Sequence, residues 1–69
     1  MLRKRSLSLT GHTTSLALEP AFWAVLAKMA AERGASLTSV IAGIDASRQA
    51  EPLASACRVA ALAWAGRRG

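Results

Sequence analysis

Cysteine, histidine and acidic residues are scarce in this 69-residue chain. Cys57 is the only cysteine, so no disulfide can form within the chain. One cysteine, one histidine (His12) and four acids do not make a four-ligand metal set of the usual kind. No metal and no other cofactor is expected. His12 has no acid or nucleophile partner evident in the sequence, and so short a chain cannot enclose an ordinary ligand pocket by itself. With no nucleophile–base pair to assemble, an enzyme is not expected. A long hydrophobic run is missing too. The apolar stretch Leu53 to Ala65 contains Arg58 and is too short to cross about 30 Å of hydrocarbon. No membrane partner is expected, and no secretory signal is seen, so the expected setting is cytoplasmic with Cys57 reduced.

What is present is apolar and basic. The chain is 52% hydrophobic and 19% charged, too apolar to be disordered throughout. It makes one small domain, which buries only about 60% of its unfolded surface. Without a disulfide or a metal, self-association is the expected source of extra stability. The net charge is +5, and it is unevenly spread. Arg3, Lys4 and Arg5 open the chain, and Arg58, Arg67 and Arg68 lie near its end. Between Glu19 and Glu51 the charges nearly cancel. Basic ends of this kind keep a small protein soluble, or neutralise phosphates through counterion release.

Hydrophobic periodicity divides the chain. Residues 1–5 form a basic arm. Over 6–18, Ser6-Leu7-Ser8-Leu9 alternates, Thr10-Gly11 breaks the pattern, and Thr14-Ser15-Leu16-Ala17-Leu18 alternates again. This reads as a β-hairpin with Leu7, Leu9, Leu16 and Leu18 on one face. An arm at 6–9 that orders only on binding would look the same.

Pro20 suits the first turn of a helix over 20–33, with Glu19 at the positive end of its dipole. Phe22, Trp23, Leu26, Met29 and Ala30 form its stripe. Gly34 fits the left-handed residue that ends a helix. Ser36 caps a second helix over 37–47, whose apolar face is Leu37, Val40, Ile41 and Ile44. Gly43 weakens its interior by up to ~1 kcal/mol unless a neighbouring backbone packs there. Asp45 and Arg48 are spaced to pair weakly. A third helix over 52–65 carries Leu53, Cys57, Ala60 and Trp64 on one stripe. Gly66 is read as its stop, with 66–69 a tail. Trp23, Trp64 and Cys57 lie on apolar stripes and read as packing residues, and His12 as a turn residue.

Strand, Pro-started helix, Gly-Ala-Ser connection, second helix: over Thr14 to Ile44 this order resembles the ribbon-helix-helix family of Arc- and MetJ-type repressors. The matching features are Ser15-Leu16-Ala17-Leu18, Phe22 to Ala30, Gly34-Ala35-Ser36 and Val40-Ile41-Ile44. Arg3 to Ser6, Gly11-His12, Leu18-Glu19, Phe22-Trp23 and Arg58-Val59 are similar to a bacterial subgroup of ribbon-helix-helix domain proteins.

The resemblance implies a mainly α fold with a short β element, assembled as an intertwined homodimer with an antiparallel ribbon between chains. Its shared core would hold Leu16, Leu18, Phe22, Trp23, Leu26, Met29, Val40, Ile41 and Ile44. It implies a transcriptional regulator that binds duplex DNA. Thr13, Ser15 and Ala17 would face bases in the major groove. Arg3, Lys4 and Arg5, and the helix start at Ser36, Leu37 and Thr38, would meet phosphates. A sheet widened by outer strands exceeds the groove that accepts two. The third helix, which the minimal family does not need, caps the core or docks another protein. An antitoxin-like interaction module is the alternative reading.

Overall fold

Gly11 reverses the chain. Its φ is 83°, a conformation that costs an L side chain and not glycine. The computed structural model describes residues 1–68, and on either side of this turn it places β1 (Arg3–Leu9) and β2 (His12–Leu18). The strands pair antiparallel from Leu9↔His12 back to Arg3↔Leu18. Alternation then sends Leu7, Leu9, Leu16 and Leu18 to one face, where all four are buried. Residues 6–9 are therefore strand. The ribbon is closed within one chain, and β2 keeps its second edge without a strand partner among the described residues.

The basic arm is a correction. Arg3, Lys4 and Arg5 lie in β1, opposite Leu18, Ala17 and Leu16. Trp23 holds Arg3 and Arg5 there. Its indole Nε1 donates to the Arg3 carbonyl at 2.9 Å, and the Arg5 guanidinium lies 4.8 Å from the ring centroid. An Arg-Lys-Arg run has no apolar alternation to reveal a strand.

α1 (Pro20–Arg33) starts with proline in its first turn. The Glu19 carbonyl accepts from the Phe22 and Trp23 amides. Gly34, at φ 64°, ends the helix, and its amide donates to Ala31 at 3.2 Å. Ser36 then caps α2 (Leu37–Ser47), its side chain accepting from the Ser39 amide at 3.0 Å. A cap of this kind is worth about 1 kcal/mol.

α3 (Leu53–Arg68) corrects the expected stop at Gly66 and the tail beyond it. Gly66 does not take the positive φ of a helix-ending glycine. The last turn is held by Arg68, which pairs with Glu32 of α1 at 2.6 Å and lies 5.4 Å from the Trp64 ring. Basic residues there also suit the negative end of the helix dipole. Gly69, the last residue of the expected tail, lies outside the described residues.

One core joins all five elements. Leu18, Leu26, Ile41 and Cys57 are its largest fully buried members. Cys57 and Ala61 bring α3 into it, so the inner stripe of that helix is interior. Of the nine residues expected in a core shared by two chains, Phe22 and Ile44 are half-buried, and the other seven are buried within one protomer.

Candidate nucleic-acid interface

The hairpin register decides which polar residues share a surface. Lys4 stands opposite Ala17, Ser6 opposite Ser15, and Ser8 opposite Thr13. These six alternate with the inward leucines, so they form the outer face of the ribbon. Ala17 is half-buried and the other five are exposed. Sequence periodicity finds Thr13, Ser15 and Ala17. Ser6 and Ser8 join them only through the pairing centred on Thr10-Gly11, a signal available in the near-mirror alternation of the two strands.

The three N-terminal bases do not act as a unit. Lys4 is on the outer face. Arg3 and Arg5 alternate to the other side, toward Trp23 and the start of α1. The outer face thus carries one cation, four hydroxyls and one methyl group. Hydroxyls donate or accept single hydrogen bonds. Of the six, Lys4 alone has a side chain of a type that bridges guanine O6 and N7; the other five cannot form the bidentate base contacts that discriminate most strongly.

At the second predicted locus, the start of α2, the first amides have no intrahelical acceptor. Ser36 takes the Ser39 amide. Leu37 is half-buried against the core, so only its backbone is suited to an anion. Ser36 is exposed and Thr38 half-buried.

Pairing further sorts the charges. Arg58 Nε donates to Glu19 at 2.9 Å, tying α3 to the start of α1. Arg58 also lies 5.9 Å from the Phe22 ring centroid. This hydrogen bond first, and then the backbone bond of Glu19 itself, hold the Glu19 carboxyl below its ordinary value. Arg48 pairs with Asp45 at 2.7 Å and donates to the Glu51 carbonyl, also at 2.7 Å. Arg3, Lys4, Arg5, Lys28, Arg33 and Arg67 hold no acid among the described residues. Fixed positive charge is thereby left on the ribbon and around the C-terminal ends of α1 and α3.

Among the other chemistry-bearing side chains, the two tryptophans and Cys57 belong to the core or pack against it. Trp23 is buried and Trp64 half-buried on their helices. His12 opens β2 opposite Leu9 and is exposed. The Cys57 thiol is buried, and desolvation, with Asp45 adding to it, pushes its pKa up to about 11. Among the described residues, no cluster of three or more His, Cys, Asp or Glu could hold a metal ion. No described helix is long and apolar enough to cross a membrane.

Comparison with known proteins adds one finding. The ribbon-helix-helix domain model matches residues 2–65 of the 69. That span takes in the hairpin, both central helices and most of α3, so the third helix falls within the matched region. No curated protein and no solved structure matches the chain. The family comprises in general DNA-binding transcription regulators and antitoxins, a regulatory fold and not a catalytic one. By its matched span and its order of hairpin and helices, this chain belongs to the ribbon-helix-helix family.

Proposed function

We propose that the protein is a homodimeric, cytoplasmic DNA-binding regulator that lays the outer face of its hairpin into the major groove. The observation that carries this reading is the six-residue face formed by Lys4, Ser6, Ser8, Thr13, Ser15 and Ala17. A two-stranded ribbon fits a groove about 12 Å wide. β1 and β2 of one protomer already make such a ribbon. A sheet doubled by a second hairpin, at about 4.8 Å per strand, does not fit as readily.

Affinity in this reading is mostly electrostatic. Lys4 meets a phosphate at the groove, and the free amides at Leu37 and Thr38 receive another at the start of α2. Arg3 and Arg5 add positive potential at the ribbon's end while remaining tied to Trp23. Thr13 and Ser15 supply single hydrogen bonds to base edges, and the Ala17 methyl can meet a thymine methyl. Sequence discrimination is therefore modest.

The test is duplex DNA binding over a salt series. The expected result is a linear fall of log affinity with log salt, its slope about 0.9 per phosphate neutralised. No binding at low salt, or a flat response, rejects the reading.

A second reading is favoured by Val59 and Leu62, each 64% exposed on the outer side of α3. They suit a protein-docking face, as an antitoxin-like module would need. A chain that binds no DNA but keeps its assembly through α3 supports that alternative.

A further inference from the structure

A hollow of about 440 Å³ lies in the α2–α3 groove, the seam between those two helices. That size is within the range of small-molecule sites. One wall is Ser39, Val40, Gly43 and Ile44 of α2, and the facing wall is Ala60, Ala63 and Arg67 of α3. The end of α1 adds Met29 and Arg33. The hollow is polarised along its length. Arg33 closes α1 just before the Ser36 cap, and so stands at the Ser39 end. Ala60 belongs to the opposite end, because it shares Ile44 and Ser47 with a neighbouring depression. Arg67 follows Ala60 by about two helical turns, which returns it to the Ser39 end. Two cations therefore head a floor that is otherwise apolar.

Two features of this hollow are not accounted for by packing within the chain. No acid lines it, and among the described residues neither Arg33 nor Arg67 has a salt bridge. Each suits the negative end of its own helix. That role does not require both to border one hollow, where like charges repel. The second feature is Gly43. Glycine is the poorest helix former after proline, yet Gly43 has no positive φ and a Cβ there would meet nothing within 4 Å. Its bare backbone leaves the floor open.

We propose that this hollow binds a small amphipathic anion. Arg33 and Arg67 hold a carboxylate or phosphate head, and a short apolar body lies over Gly43 against Ile44 and Ala60. The planar guanidinium fork matches either oxyanion, and the Ser39 hydroxyl can add a hydrogen bond. Met29 and Val40 are buried at the base while Gly43 and Ala63 are exposed, so the ligand is half-embedded and not enclosed. The hollow between α1 and α3 is a poorer candidate, since its Arg68 is already paired with Glu32. The proposal does not depend on the DNA reading above.

The test is an NMR titration of the full chain at low salt with octanoate, octyl phosphate and uncharged octanol. Either anion is expected to saturate, moving the amides of Ser39, Gly43, Ala60 and Ala63, and the tighter one names the head. Octanol should bind at least about tenfold more weakly, since it cannot make the charge-assisted bonds. Arg33→Ala and Arg67→Ala should each weaken the anion about three- to tenfold and leave octanol unchanged. Gly43→Leu should weaken all three ligands by filling the floor. All three positions are exposed, and thermal melts confirm folding. No saturation by either anion, equal binding of octanol, or indifference to both arginine changes overturns the site. Movement of the same amides by duplex DNA alone also overturns it, and assigns the two arginines to nucleic acid. Because no DNA is present in the titration, its failure leaves the salt series as the separate judge of DNA binding.

Discussion

The two faces of the hairpin differ by one residue of register and in almost every physical respect. The inner face is leucine, sealed against three helices, with Arg3 and Arg5 bound at its end to Trp23. The outer face is serine, threonine and alanine with Lys4, and all of it but the half-buried Ala17 is exposed. Adjacent residues in the run Arg3-Lys4-Arg5 therefore have opposite tasks. Arg5 meets Trp23 through its guanidinium and Arg3 through its backbone carbonyl, and the lysine between them pairs with no acid among the described residues. Basic residues crowded together in sequence need not form one electrostatic patch.

The largest expected effect breaks the inner face. Leu18→Ala removes a fully buried side chain and should cost about 2–5 kcal/mol in denaturant melts. Ser15→Ala on the outer face should change stability by no more than about 0.5 kcal/mol.

The next comparison separates Lys4 from Arg5. Lys4→Ala should lower the salt slope of DNA binding by about 0.9 with the melt unchanged. Arg5→Ala should cost about 0.5–1 kcal/mol of stability through its lost contact with Trp23. Its effect on the slope should be smaller. Equal slopes for the two variants would remove the distinction between the faces.

This distinction was half legible in the sequence. Alternation identified Leu7, Leu9, Leu16 and Leu18 as one face, and Pro20, Gly34 and Ser36 marked the helix ends through backbone chemistry that acts within a few residues. The strand at Arg3 to Arg5 was hidden because its anchor, Trp23, is 20 residues away. The last turn of α3 was hidden for the same kind of reason. Gly66 looks like a stop, and the pairing of Arg68 with Glu32 is a tertiary contact. The open space beside Gly43 also needed three dimensions, since sequence cannot say whether a backbone fills it.

A smaller effect concerns Cys57, deep under the hairpin. Its thiol favours the neutral form up to about pH 11. A raised value in the folded state means that this contribution to stability is full below the ordinary value of 9.0 and is lost as pH rises toward 11. Alkylation at neutral pH should be slow in the folded protein and fast once it unfolds. Cys57→Ala should flatten the alkaline limb of the stability profile.

The smallest effect is at Glu19. Its lowered carboxyl contributes stability above the ordinary value of 4.5 that is lost as pH falls below it. Glu19→Gln should remove a shallow acid-side loss, read as converging melts of wild type and variant below that pH.

Chemical-shift mapping with duplex DNA at low salt tests the central claim most directly. The account predicts perturbations gathered on Lys4, Ser6, Ser8, Thr13, Ser15 and Ala17 and at Ser36 to Thr38, with the α2–α3 groove unmoved. Perturbations centred on Val59 and Leu62, or none that saturate, would contradict it.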